Sequence, residues 1–136
     1  MLLSVDSSVI LAIVKDEQGG AAWLDFILQL GREARLSVCE VVYAELSALV
    51  ESEEKLQSRL RELGLAYDSI QPTTAFIAGQ RFAEYRRAGG PRRNLIPDFL
   101  IGAHGLGQAN GLLTADRGYL RNYFRGLKIL EPKRGR

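Results

Sequence analysis

The stretch Leu95–Asp116, LIPDFLIGAHGLGQANGLLTAD, constrains the fold most, because it commits a helix and a buried strand to consecutive places. Pro97 suits the first turn of a helix and sets Asp98 near the positive end of its macrodipole. Asp98, Gly102 and Gly105 fall on one helical face, where positions without side chains let a neighbouring strand approach closely. Asn110-Gly111 breaks that helix. The apolar run Leu112-Leu113-Thr114 then delivers Asp116 as the carboxyl end of a buried parallel strand does.

The same alternation runs through the rest of the chain. Leu2–Val5 reads as a buried first strand followed by Asp6, and Ser7 or Ser8 caps the helix continued by Val9, Ile10, Leu11, Ile13 and Val14. Asp6 is either a site residue at the sheet edge or merely the cap of that helix. Gly19-Gly20 precedes a second helix, with Trp23 and Phe26 at core or interface spacing. Arg35–Val38 is a strand, and Ser37 to Glu40 matches an S-x-x-E capping box before the helix VVYAELSALV. Leu56, Leu60 and Leu63 make the charge-rich segment Glu51–Leu63 an amphipathic hairpin partner to it. Leu65–Ile70 is a strand in which Asp68 is an ordinary strand or edge residue. Thr73 or Thr74 opens a helix bearing Arg81, Arg86 and Arg87. A short helix around Tyr119–Phe124 and the strand Leu127–Leu130 close the chain. Strands alternating with helices imply a mostly parallel sheet with helices on both faces.

Composition narrows the class. Hydrophobic content of 46% and charged content of 25% in 136 residues are those of one soluble globular domain. The domain is expected over residues 1–131, with a basic tail over 132–136. A formal charge of +2 imposes no whole-molecule demand for nucleic acid, although 18 basic residues can be unevenly placed. The single cysteine, Cys39, excludes an intramolecular disulfide framework and a Cys-rich zinc site and fits a reducing compartment. With no secretory signal and no run near the ~20 apolar residues that span a bilayer, a cytoplasmic protein without membrane attachment is expected.

Acids are the residues with chemistry to explain. The neighbours of Glu45 at three and four residues either way are Val41, Val42, Ala48 and Leu49, so its carboxylate emerges from an apolar stripe or sits at its rim. In the first case it must neutralise, meet a cation or bind a metal. Asp6 and Asp116 end two strands, and the helices of Glu45 and Asp98 can lean over the same sheet edge. Four crowded carboxylates repel unless protons or a divalent cation offset them, and oxygen donors without a Cys or His cluster select Mg²⁺ or Mn²⁺. Such an ion orients a phosphodiester and activates water, which defines a phosphoryl-transfer hydrolase. Thr114 is a supporting hydroxyl. Arg92, Arg93 and Asn94 form a basic loop that either meets phosphate or is a solvated connection. His104 has no Ser or Cys arrangement suggesting a triad and reads as a structural helix residue. No Walker loop or dinucleotide glycine fingerprint is present.

Asp6-Ser7-Ser8 after the first strand, Glu45 inside a helical AEL, Pro97-Asp98 opening a helix, and Thr114-x-Asp116-Arg117-Gly118-Tyr119 together resemble the PIN domain. The likeness is to its VapC-type toxin ribonucleases and extends over essentially the whole chain. It implies a three-layer α/β/α fold, Mg²⁺- or Mn²⁺-dependent RNA cleavage, and a cognate antitoxin whose tail occupies the groove. Homodimers are common in that family, and the hairpin with Glu51–Leu63 resembles the clip used there for pairing and antitoxin docking. By residue, the likeness carries catalytic and metal-holding roles onto Asp6, Glu45, Asp98 and Asp116, with Ser7 and Thr114 in support. Arg92, Arg93 and Arg117 are candidates to contact the RNA backbone. The rival readings are a PIN-like RNA-binding or assembly module that no longer cuts, and a phosphatase or flap-type nuclease with a similar acidic edge.

Overall fold

The computed structural model of the chain describes residues 1–90, 96–116 and 120–133. Its strands are β1 (Leu2–Val5), β2 (Arg35–Val38), β3 (Leu65–Tyr67), β4 (Leu112–Leu113) and β5 (Ile129–Leu130). They form one sheet in the order β3-β2-β1-β4-β5, and each pairing is parallel. Parallel neighbours need crossover connections. These are supplied by α1 (Ser7–Val14), α2 (Gly20–Leu30), α3 (Glu40–Ser47), α4 (Glu53–Leu63), α5 (Pro72–Arg87), α6 (Ile96–Gly107) and α7 (Leu120–Tyr123). From β1 the chain builds outward through β2 and β3, then returns to the other side of β1 as β4. That reversal opens a crevice at the carboxyl ends of β1 and β4, where ligands bind in sheets of this kind.

Register assigns the two faces. Ser4 pairs with Ser37 and with Leu112, and this face is covered by α6. Leu3, Val5, Leu36 and Leu113 alternate onto the opposite face and are fully buried there, with α2 in contact with β2. The result is the expected three-layer α/β/α arrangement. An aromatic cluster joins α5 to α6 and α7: Phe82 and Tyr85 lie 5.6 and 5.7 Å from Phe99, and Phe124 lies 5.5 Å from it. In the α3–α4 hairpin, Ser52 caps α4 by accepting from the Lys55 N–H at 3.2 Å, and Gly64 ends it with φ of +74°. Leu56, Leu60 and Leu63 are buried, as their spacing implies.

Local sequence misplaces several boundaries. The expected capping box at Ser37–Glu40 does not form, because Ser37 is still inside β2 with its hydroxyl donating to the Leu3 carbonyl at 3.2 Å. Cys39 is the N-cap of α3 instead. The Glu40 carboxylate accepts from the Ser69 hydroxyl at 2.9 Å and the Ile70 N–H at 2.7 Å, tying α3 to the segment after β3. Burial raises the Glu40 carboxyl, but these donors and its own N–H outweigh that and hold it below the ordinary carboxylate range. Neither Ser7 nor Ser8 caps α1, whose N-cap is Asp6. β3 stops at Tyr67, and α5 begins at Pro72. Arg92, Arg93, Asn94, Arg117, Gly118 and Tyr119 lie outside the described residues, as does the end of the tail from residue 134.

Glycine lets α6 sit close to the sheet. A Cβ on Gly105 would stand 2.9 Å from the Leu112 Cβ, and one on Gly102 would stand 2.8 Å from the Phe124 ring. Of the two, only Gly105 faces a strand. On the exposed side of α5, a Cβ on Gly79 would meet nothing within 4 Å. Chemical denaturation should separate the two cases. Gly105→Ala is expected to cost about 1–3 kcal/mol through overpacking, and Gly79→Ala to gain about 0.5–1 kcal/mol through helix propensity. A stabilising Gly105→Ala would show that α6 does not need this close approach.

Candidate active site

β1 hands the chain to α1 at Asp6, in the crevice between β1 and β4. The Asp6 N–H donates to the Leu113 carbonyl at 2.9 Å, continuing the β1–β4 ladder one residue past the strand. Asp6 occupies the N-cap position of α1, yet its side chain makes no capping hydrogen bond. The capping alternative therefore fails. Its carboxylate turns to hydroxyls: Oδ2 accepts from Thr114 at 2.7 Å and from Ser8 at 2.8 Å, while the Ser7 contact to Oδ1 is long, at 3.5 Å. Asp6 is only 8% exposed and Thr114 is fully buried. Charge-assisted bonds of this kind contribute about 1.5–3 kcal/mol each, so they can hold a carboxylate where water barely reaches.

Thr114, expected as a supporting hydroxyl, is engaged by the protein through its bond to Asp6. It also accepts from the Asp116 N–H at 3.0 Å, which shapes the turn after β4. Ser8 is a site residue that local reasoning passes over as a helix cap. Its hydroxyl accepts from the Ala115 N–H at 3.0 Å while donating to Asp6, so it stitches α1 to the end of β4. The signal available in sequence is its place two residues after Asp6.

Glu45 stands across this edge on α3. The buried side of α3 is carried by Val42 and Leu46, and Glu45 lies at the rim of that stripe as an exposed residue rather than inside it. Its Oε1 accepts from the Ser7 hydroxyl at 2.9 Å. Partial desolvation of the carboxylate raises it above the ordinary range; the Ser7 bond works against this, and the charges of Asp6 and Asp98 add to it. Asp98, half-buried in the first turn of α6, is thereby brought within electrostatic reach of Glu45.

Asp6, Glu45 and Asp98 thus gather from three distant parts of the sequence. Asp116 is exposed, and the acids acting on Glu45 are Asp6 and Asp98. Among the described residues no three acids converge tightly enough to share one ion. No Lys or Arg of the described residues bridges to Asp6 or Glu45. Carboxylates backed by hydroxyls are the hard oxygen donors that Mg²⁺ and Mn²⁺ select, so the donor chemistry fits such an ion.

The raised carboxyl gives a signed expectation. A group whose folded pKa lies above its unfolded value weakens the fold once pH exceeds the unfolded value, and has no such effect when protonated in both states. Glu45→Gln should therefore raise the Tm at pH 7.5, by no more than about 4 °C for a solvent-screened interaction of up to about 1 kcal/mol. At pH 4 the gain should vanish. Thermal unfolding followed by circular dichroism checks this, and an equal gain at both pH values would mean that the charge of the carboxylate is not its source.

Comparison with known proteins places this geometry. No curated protein sequence matches the chain. VapBC2 from Rickettsia felis, bound to a DNA fragment from their promoter, is similar in structure with a TM-score of 0.73 at 20% identity, covering 98% of this chain and 100% of that one. VapBC-1 from nontypeable Haemophilus influenzae gives 0.70 at 18% identity, covering 96% and 98%. FitAcB from Neisseria gonorrhoeae gives 0.62 at 19%, covering 97% and 98%. A family profile, described as PIN domain, matches residues 3–125. That match spans β1 through α7, including every acid of the crevice, and the chain accordingly belongs to the PIN domain family, a family of nucleases.

Proposed function

We propose that this protein is a metal-dependent endoribonuclease, the VapC-like toxin of a toxin–antitoxin pair, with RNA as substrate and a cognate antitoxin as partner. The observation that carries the reading is Asp6: a nearly buried carboxylate at the switch point of the sheet, released from helix capping and held by two hydroxyls. Asp6, Glu45 and Asp98 are the residues that would hold Mg²⁺ or Mn²⁺, with Asp116 at the mouth of the site. When bound, such an ion supplies charge stabilisation for the phosphodiester and activation of water. The chain's own part is positional. Thr114 and Ser8 orient Asp6, Ser7 orients Glu45, and the first turn of α6 presents Asp98. Arg92, Arg93 and Arg117 are proposed to contact the RNA backbone, and pairing into a homodimer is proposed with them. A second reading, a PIN-like RNA-binding or assembly module that does not cut, is favoured by the open spacing of the described acids.

Cleavage of single-stranded RNA in Mn²⁺ or Mg²⁺ separates these readings, with structured DNA and a phosphomonoester as competing substrates. Asp6→Asn and Asp98→Asn should each lower the rate by about 10²–10³-fold, the scale of losing one preorganised electrostatic group, with far-ultraviolet dichroism unchanged. Equal cleavage in excess chelator, or undiminished activity in both variants, would falsify the nuclease reading. Failure of the wild type to bind Mn²⁺ at millimolar concentration would favour the non-cutting module. Removing one phosphate-contacting arginine among Arg92, Arg93 and Arg117 should reduce the slope of log affinity against log salt by about 0.7 for a single strand. An unchanged slope excludes the contact.

A further inference from the structure

One buried polar group, held from two sides, is not used by the proposed chemistry. His104, on α6, is fully buried and has both ring nitrogens engaged. Nδ1 lies 2.7 Å from the Ser4 hydroxyl on β1, and Nε2 lies 2.7 Å from Asp68 Oδ2 just after β3. Asp68 also accepts from Gln108 Nε2 at 3.2 Å, and the same amide nitrogen donates to the Ser69 carbonyl at 2.9 Å. The Gln108 amide oxygen accepts from the N–H of Gln71, the N-cap of α5, at 2.6 Å. His104 is a structural helix residue, as its sequence context suggests, whereas Asp68, expected as an ordinary strand or edge residue, lies just past β3 as its partner.

Ser4, His104 and Asp68 have the residue types of a hydrolytic triad, but that role is closed to them. The Ser4 hydroxyl is fully buried within β1, so no substrate reaches it. What the three residues do is fix α6 on the sheet. Ser4 lies two residues before Asp6 on the same side of β1, and His104 lies six residues after Asp98 on α6. Asp98 acts on Glu45 at the Asp6 edge while His104 reaches back to Ser4, so α6 runs antiparallel to β1. Six helical residues span about 9 Å. Two strand residues span about 7 Å. The His104–Ser4 bond therefore sets how far the start of α6 projects past the end of β1. Gly105, the residue after His104, makes the bond reachable, since its missing Cβ lets the α6 backbone rest on Leu112, the register partner of Ser4.

We propose that His104 is a positioning residue: its bond to Ser4 sets the axial register of α6 on β1, and so holds Asp98 opposite Asp6 and Glu45. The consequence for metal binding rests on the nuclease reading above; the register itself does not. Asp68 and Gln108 hold the imidazole ring in the orientation that the Ser4 bond requires.

Three variants test this. Ser4→Ala and His104→Gln remove the arm to Ser4, whereas His104→Asn keeps an amide where Nδ1 stood and loses the arm to Asp68. The Mn²⁺ concentration for half-maximal RNA cleavage should rise by about 10- to 100-fold in the first two, up to the loss that a misplacement of about 1 Å produces. It should stay near the wild-type value in His104→Asn. A merely structural network lowers the Tm of all three and leaves the Mn²⁺ requirement unchanged, and that outcome overturns the proposal. A crystal structure of His104→Gln, or of the milder Ser4→Ala, reads the register without metal or RNA. An α6 in its wild-type place on β1 overturns the proposal whatever the nuclease assays give. An α6 displaced along β1, in a protein whose wild type cleaves no RNA, upholds the register and removes the nuclease reading alone.

Discussion

A carboxylate held almost out of water at the meeting of two parallel strands is the constraint on which this molecule turns. Asp6 continues the β1–β4 ladder through its backbone, and its side chain is held by Thr114 just after β4 and Ser8 from α1. An ionised carboxylate in such a place is tolerated only with donors arranged around it, because burial without them costs several kcal/mol (~). The requirement reaches outward. Thr114 also receives the Asp116 N–H and Ser8 the Ala115 N–H, so the turn after β4 is shaped by the same few hydroxyls.

Two further acids are brought to this edge by helices whose placement has separate causes. α3 buries Val42 and Leu46, which turns Glu45 to the rim, where Ser7 receives it. α6 buries Phe99 among the aromatic side chains of α5, of Tyr123 in α7 and of Phe124 just after it, and its Gly105 rests on β4. Hydrophobic packing thus carries Asp98 toward Asp6 against their mutual repulsion. The charges of Asp6 and Asp98 add to the rise of the Glu45 carboxyl, which records that repulsion.

The polar network beneath α6 complements that packing. Hydrophobic contacts are non-directional and leave a helix some freedom to slide, whereas a doubly bonded imidazole at 2.7 Å from each partner has a single satisfied position. Together they determine both that α6 covers the sheet and how far along it the helix lies.

Much of this was legible in the residues alone. The alternation of apolar runs with amphipathic segments, the glycines of α6 and the acids at strand ends point to the parallel α/β class and to Asp6, Glu45, Asp98 and Asp116 at one edge; of these, Asp6 and Asp98 act on Glu45, and Asp116 is exposed. Both expectations follow from periodicity and from chain direction in a parallel sheet, which are properties of neighbouring residues. The sequence could not say whether Ser37 begins a helix or ends a strand, because the competing partner, the Leu3 carbonyl, lies 34 residues away. Nor could it free Asp6 from capping, assign Ser8 to Asp6, or join His104 to Ser4 across 100 residues and to Asp68 across 36. Hydrogen bonds between distant residues depend on which elements the core brings side by side, and only the folded chain decides that.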